Sequence, residues 1–221
     1  MNDLSMGEPT SVYARLRADI IFGRLAPGAR LPLENLRAGY GAGAGQLREA
    51  LNRLAAERLV VAEGQRGFEV ADVSVANLRE IADLRLLLEC DALGQSFQAG
   101  DTAWESRVLA AHHMLSRQEA AMAAGDGCRV EQWKQQDWLF HQALISACPS
   151  QVMKETHAAI FDKYLRYQMI ALSFRGDVAA AEHHRMLECA LARDADGACA
   201  VLRLHVEGGV AHALATGTIK S

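Results

Sequence analysis

Asp137 and His141 stand four residues apart, so on a helix they lie one above the other on the same face. Leu139 and Phe140 sit between them, and Leu144 and Ile145 follow, which reads as a helix packed inside a bundle. A carboxylate and an imidazole on such a face are costly to bury unless something satisfies them. A divalent metal would do so if two further ligands arrived from elsewhere. His183 lies 11 residues before Asp194 and His205 lies 11 after it. If the chain reverses at Asp194, both imidazoles sit in one layer, each roughly 16 Å from the turn. Asp137, His141, His183 and His205 would then form one site. One carboxylate with three imidazoles suits Zn, Ni, Mn or Fe and leaves coordination positions open. The competing reading is a set of buried histidines bonded to carboxylates, and spacing alone leaves both standing. His184 points about 100° away from His183 on the helix. His112, His113, His157 and His212 read as surface or packing histidines.

The elements that must position these groups follow from the chain in order. Ser11 can cap a helix running to about Gly23, with Val12, Leu16 and Ile20 at helical spacing. Pro27-Gly28 is a turn. A short helix covers about Leu33–Ala38, followed by a flexible stretch, Gly39 to Gly45, with four glycines. A third helix runs from about Gln46 to Arg58. Leu47, Ala50, Leu51 and Leu54 form its buried stripe and leave Arg48, Glu49, Asn52 and Arg53 exposed. Val60–Ala62 and Phe68–Val70 read as strands flanking a hairpin turn that holds Arg66 and Gly67. Three helices and a hairpin make a winged helix-turn-helix. In that layout Arg48, Asn52 and Arg53 enter a major groove, and Arg66 contacts phosphate or the minor groove where Gly67 lets the backbone approach.

From Ser74 the pattern is helical throughout, in six segments: 74–99, 102–124, 130–147, 151–173, 178–192 and 195–215. The first carries Leu78, Ile81, Leu84, Leu88 and Ala92 inward. Turns of two to five residues between the helices argue for an antiparallel bundle. The fold class is therefore mostly α, a winged helix-turn-helix over 1–73 followed by an all-helical bundle over 74–221.

Composition narrows the setting. The net charge of −4 carries no signal for nucleic acid, and residues 1–72 hold nine Arg against nine acidic residues. DNA binding must come from the local placement of Arg. No apolar run reaches the roughly 18 residues of a membrane span, and Met1–Thr10 lacks a secretory core. Five scattered cysteines without a CxxC suit reduced thiols in a cytoplasmic protein.

Taken together the chain resembles the GntR family, in its FadR-type branch with an all-helical FCD effector domain. The resemblance rests on Gly23-Arg24-Leu25-Ala26-Pro27-Gly28-Ala29-Arg30-Leu31-Pro32, Arg48-Glu49-Ala50-Leu51 and Gln65-Arg66-Gly67. It continues through Leu84-Arg85 with Leu88-Glu89, Asp137 with Phe140-His141, Glu182-His183, and Arg193-Asp194 with Arg203-Leu204-His205. The family usually reads Ser-Arg-Thr-Pro before the Arg-Glu-Ala-Leu of its recognition helix. Here Gly43, Ala44, Gly45 and Gln46 take those places, so a hydroxyl cap worth about 1 kcal/mol and a guanine-reading Arg are absent.

By spacing, Arg85 and Glu89 form a helix-surface ion pair worth a few tenths of a kcal/mol. The resemblance implies instead that Arg85 reaches inward to pair with an effector carboxylate. It further implies a homodimer that binds operator DNA at two half-sites. The helical domain would hold a divalent metal whose free positions receive a small carboxylate or sugar-acid effector. An enzyme is not expected, because no general base stands at a recognisable offset from the ligands. A metal-dependent hydrolase or lyase, and a ligand-binding module with a degenerate DNA-binding domain, are the rival readings.

Overall fold

The computed structural model describes residues 11–62, 67–172 and 174–219, apart from the side chain of Cys128. The chain divides into two compact units, Met1–Val73 and Ser74–Ser221.

The first unit holds helices α1 (Val12–Ile21), α2 (Leu33–Tyr40) and α3 (Ala44–Ala56) and strands β1 (Val60–Ala62) and β2 (Phe68–Val70). Ser11 caps α1 by accepting from the Ala14 amide at 3.2 Å. Leu16 and Ile20 of α1 meet Leu36 of α2 and Leu47, Leu51 and Leu54 of α3 in one apolar core, closed below by Val60 and Val70. The strands pair antiparallel with Val60 opposite Val70 and Ala62 opposite Phe68. The segment before α2 adds a further rung, since Leu31 donates to the Phe68 carbonyl and Val70 to the Ala29 carbonyl. The glycine-rich stretch departs from its flexible reading. Gly39 continues α2, Gly41 ends it in the left-handed region at φ 62°, and Gly43 opens α3. The helix-turn-helix needs one left-handed residue there, and glycine enters that region without a Cβ penalty.

The second unit is a six-helix bundle of α4 (Val75–Ala99), α5 (Thr102–Ala123), α6 (Val130–Leu144), α7 (Gln151–Ile170), α8 (Asp177–Ala192) and α9 (Ala195–Ala215). Local chemistry sets the ends. Ser74, Asp101, Ser150 and Asp194 each accept the amide three residues on, at 2.8–3.2 Å. Gly125 takes φ 90° after α5, and Arg193 takes φ 58° between α8 and α9. The chain therefore reverses at Arg193–Asp194, and α8 packs along α9. Between α7 and α9 the approach is close. Tyr164 donates to the Val206 carbonyl at 3.0 Å, and a Cβ on Gly209 would collide with the Tyr164 hydroxyl.

Two sequence expectations change in this unit. Leu84 is 40% exposed, while Arg85 and Glu89 are 1% and 0% exposed. The inward stripe of α4 is thus partly charged, which apolar periodicity does not detect, and Arg85–Glu89 is a buried ion pair, which departs from the spacing reading and agrees with the inward Arg85 that the family resemblance implies. The second correction concerns the thiols. Cys90 of α4 and Cys199 of α9, 109 residues apart in sequence, are joined in a disulfide, leaving Cys148 and Cys189 free among the described residues. Nothing in the local spacing of the cysteines marks that pair.

Candidate functional site

Asp137 and His141 come from α6, His183 from α8 and His205 from α9, and all four side chains are buried. The ring centroids of His183 and His205 are 4.6 Å apart, and His141 lies 5.4 Å from His205 and 5.7 Å from His183. One ligand-type atom from each of the four residues falls within 4.8 Å of every other. Asp137 Oδ1 lies 3.2 Å from His183 Nε2 and 3.6 Å from His141 Nε2. Asp137 Oδ1 and His183 Nε2 nevertheless have no partner in hydrogen-bonding geometry. Orphaned acceptor atoms in a dry interior are expensive. Their convergence is the arrangement in which a bound cation would satisfy them together.

The opposite edge of each imidazole is held by a separate carboxylate. His141 Nδ1 donates to Glu89 Oε1. His183 Nδ1 donates to Glu119 of α5 at 2.6 Å, and His205 Nδ1 to Glu182 of α8 at 2.8 Å. With Nδ1–H committed, the neutral form of each imidazole presents its Nε2 lone pair inward, which is how a metal-binding histidine is oriented and made more basic. Asp137 is fixed in the same way. Its Oδ2 accepts from Lys134 Nζ at 3.2 Å, and Lys134 also donates to Gln168 at 2.6 Å. Oδ1 is thereby turned toward the histidines.

An outer layer supports this ring. Arg85 donates from Nε to Glu89 at 2.9 Å, packs its guanidinium over Phe161 and Tyr164, and lays Nη2 3.3 Å from His141. Glu89 also accepts from His157 Nε2 at 2.9 Å. Arg175 grips Glu182 through both Nη atoms and reaches the His205 carbonyl at 3.1 Å.

Electrostatics follow from burial against these partners. Burial alone would raise Glu89, but Arg85, His141 and His157 hold it well below the usual carboxylate range. Asp137 behaves likewise, with burial outweighed by Lys134 and His183. Burial pushes His141 down and His205 well down, so both are neutral bases at neutral pH. His183 differs. Burial would lower it, yet Asp137 and Glu119 on its two sides raise it.

Comparison with known proteins now places the chain. The FCD domain profile matches residues 80–208, and the profile of bacterial regulatory proteins of the gntR family matches residues 9–70. The HTH-type transcriptional regulator BphR of Paraburkholderia xenovorans is 38% identical over 90% of this chain and 82% of its own. The HTH-type transcriptional repressor GlaR of Escherichia coli is 34% identical over 88% of this chain and 90% of its own. The chain belongs to the GntR family. Among solved structures, a putative GntR regulator from Rhodococcus sp. RHA1 superposes with a TM-score of 0.75 at 25% identity, covering 92% of this chain and 96% of that one. E. coli McbR/YncC superposes at 0.79 with 23% identity, covering 95% and 99%, and shows the shared fold. The protein is a transcriptional regulator with a DNA-binding helix-turn-helix and an FCD effector-binding domain, and its relatives are regulators, not enzymes.

In this GntR regulator the expected reading helix is α3. Arg48, Asn52 and Arg53 are exposed along it. Arg53 is the more constrained, with its guanidinium 3.9 Å over the Tyr13 ring. Gly43 supplies no side-chain cap, and only the return half of a capping box remains, with Gln46 Oε1 accepting from the Gly43 amide at 3.1 Å. Gly67 takes φ 95° at the foot of the wing, and Arg66 lies outside the described residues.

Sequence reasoning missed Glu119, Lys134, Arg175 and the burial of His157, and it named Glu182 only beside His183, not as the acid behind His205. Glu119 is 64 residues from His183 and Glu182 is 23 from His205, so no local spacing announces either. The usable signal was chemical: three buried imidazoles each need an acceptor at Nδ1.

Burial would lift the carboxyl of Glu182, but His205 and Arg175 hold it at about 2 against an ordinary 4.5. A depressed carboxylate stabilises the fold above its unfolded pKa, and that contribution disappears as pH falls toward the folded value. Glu182→Gln should lower the melting temperature at neutral pH and shrink the further drop seen between about pH 6 and about pH 3. Thermal melts of the two proteins across that range check this, and parallel curves would refute it.

Proposed function

We propose that this regulator senses a small organic acid through a divalent metal held by Asp137, His141, His183 and His205, and transmits the binding to an operator-reading winged helix. The observation that carries the reading is the pair of orphaned atoms, Asp137 Oδ1 and His183 Nε2, converging in a cluster of three imidazoles whose Nδ1 atoms are already committed. Four ligands of this type suit Zn, Ni, Mn or Fe and leave positions for an exogenous oxygen donor. When bound, such an ion would supply a Lewis-acidic centre for a carboxylate or sugar-acid oxygen.

Charge supports an anionic effector. Arg85, Lys134, Arg175 and a protonated His183, the form that Asp137 and Glu119 favour, formally balance Glu89, Glu119, Asp137 and Glu182. A divalent ion replacing that proton leaves one net positive charge, which one carboxylate neutralises. Arg85 is the cation placed to receive it, since Nε holds Glu89 and Nη2 lies along the His141 ring.

Residues 1–73 form the DNA-reading domain and 74–221 the metal- and effector-binding domain. Arg48, Asn52 and Arg53 approach bases or phosphates from α3, and Arg66 with Gly67 does so from the wing. A homodimer would present two such heads to an operator in the cytoplasm. Helix α4 starts at Val75, with only its cap Ser74 between it and the first unit, and it carries Arg85 and Glu89. An effector that draws on Arg85 therefore acts on the helix covalently continuous with the DNA-reading domain. Ligand binding biases two arrangements of that helix by its differential affinity for them.

Three measurements test this. Metal analysis should find close to one divalent ion per chain, lost in His183→Ala and His205→Ala together with the ion's contribution to thermal stability; full occupancy in both variants would refute the site. Arg48→Ala should weaken operator binding by about 1–3 kcal/mol, whereas Arg66→Ala should weaken all sequences evenly and flatten the salt dependence; wild-type binding by Arg48→Ala would exclude α3 as the reading helix. Calorimetry with and without operator should give effector affinities differing by about 5–150-fold, with Asp137→Ala still binding DNA but blind to the effector. Equal affinities would uncouple the two domains.

A further inference from the structure

Cys90 and Cys199 join two neighbouring helices, α4 and α9, that both carry groups of the buried cluster. Cys90 follows Glu89 directly on α4, the helix that also carries Arg85. Cys199 lies six residues before His205 on α9, about 9 Å along the axis. Their Cα atoms are 5.3 Å apart, within the span a disulfide bridges without backbone movement. Both residues are half-buried, so a small reagent reaches them, whereas Cys148 is 1% exposed. Burial and Asp194 raise the thiol of Cys189, which keeps it a poor nucleophile.

A regulator that works on DNA in the cytoplasm sits among reduced thiols, where protein disulfides are usually transient and redox-sensing. We propose that Cys90–Cys199 is a reversible redox staple, closed by thiol–disulfide exchange, that sets how tightly α4 and α9 clamp the carboxylate–histidine cluster. The setting among reduced thiols and the metal readout both rest on the function proposed above. The co-reactant is a low-molecular-weight disulfide such as glutathione disulfide. One cysteine thiolate attacks it, forming a mixed disulfide and expelling one glutathione thiolate. The second cysteine thiolate then attacks the protein sulfur of the mixed disulfide and expels the other. Two protein thiols are oxidised, one glutathione disulfide is reduced to two glutathiones, and the two protons lost by the cysteines are taken up by the departing thiolates.

Closure has a direct mechanical consequence. The loop spans 109 residues and contains α5, α6, α7 and α8, so the bond removes much of the freedom of the unfolded chain. It also forbids α9 from moving away from α4, and with it forbids His205 from leaving the layer of His141 and Glu89. Reduction leaves that separation to packing alone.

The test uses the full chain, prepared metal-free and equilibrated with either glutathione disulfide or excess glutathione. Denatured thiol titration should fall from five to three on oxidation in the wild type with no glutathione retained, whereas Cys199→Ser and Cys90→Ser, which cannot complete the second exchange, should fall at most from four to three and keep one glutathione. The metal-free melting temperature should rise by about 10 °C on closure, and amide exchange along α4 and α9 should slow. Zinc affinity, read by chelator competition, should be about tenfold tighter in the oxidised form. Five thiols after glutathione disulfide would overturn the staple. Closure that alters neither exchange along α4 and α9 nor zinc affinity would overturn its control of the site. Zinc bound by neither form, with thiols closing and exchange slowing, would remove the metal reading and leave the staple standing.

Discussion

The bundle is organised around one costly burial: a carboxylate oxygen and three imidazoles turned toward one another in the interior. Desolvating these groups is unfavourable, and each must be compensated by a partner held in place. The helices divide that task. Glu89 on α4, Glu119 on α5 and Glu182 on α8 hold the imidazoles from behind, while Lys134 on α6, itself bonded to Gln168 on α7, holds Asp137. Helices α4, α5, α6 and α8 therefore each contribute a group that restrains one of the four central residues, α7 supports that layer through Gln168 and His157, and α9 contributes His205 itself. The charged interior also explains why α4, with Arg85 and Glu89 inside, reads poorly as an amphipathic helix. Its buried side is chosen for pairing as much as for apolar area.

What the sequence reveals tracks the range of the interactions involved. Local chemistry was legible: the Ser11, Ser74 and Asp194 caps, the strands around the wing and the reversal at Arg193–Asp194 all depend on residues a few positions apart. The layer shared by His183 and His205 was legible for the same reason, since equal distances from one turn place two residues side by side on antiparallel helices. Spacing raises their meeting with Asp137 and His141 only as a possibility, because that meeting depends on how a third helix is packed. The acids behind the histidines and the Cys90–Cys199 pair were invisible, being set by contacts across 23 to 109 residues. Arg85–Glu89 was misjudged in its simplest form because an i, i+4 spacing is the same on a wet face and a dry one.

The glycine-rich entry to α3 shows a different trade. A hydroxyl cap would satisfy an amide at the helix start and fix the approach of the chain. Gly43 cannot do this, and Gln46 recovers only the reciprocal bond to the Gly43 amide. Backbone freedom at Gly41 and Gly43 and the lost cap both act at the end of α3 from which Arg48 projects. The start of the helix is therefore held mainly by burial of Leu47, Ala50 and Leu51. That anchors the axis of α3 but leaves its first turn less constrained than a capped helix would be. Under the proposed readout, Arg48, one turn further in, would be least disturbed by this change, and discrimination by residues 43–46 would be most reduced.

The coupling of the two functions has a simple physical requirement. A ligand shifts an equilibrium only by its differential affinity for the two states. A rigid cluster satisfied in one arrangement gives a ligand nothing to choose between, whereas a cluster with unsatisfied atoms gains most in the arrangement that brings them to a common point. Asp137 Oδ1 and His183 Nε2 are such atoms, and Arg85 links them, through His141 and Glu89, to the first helix of the bundle. An anion arriving at a metal there would compete with Glu89 for Arg85. That competition moves charge along α4, the helix entered directly from the DNA-reading unit. On the proposed coupling, the same pair of groups that makes the interior expensive would be the pair through which its occupancy is felt outside.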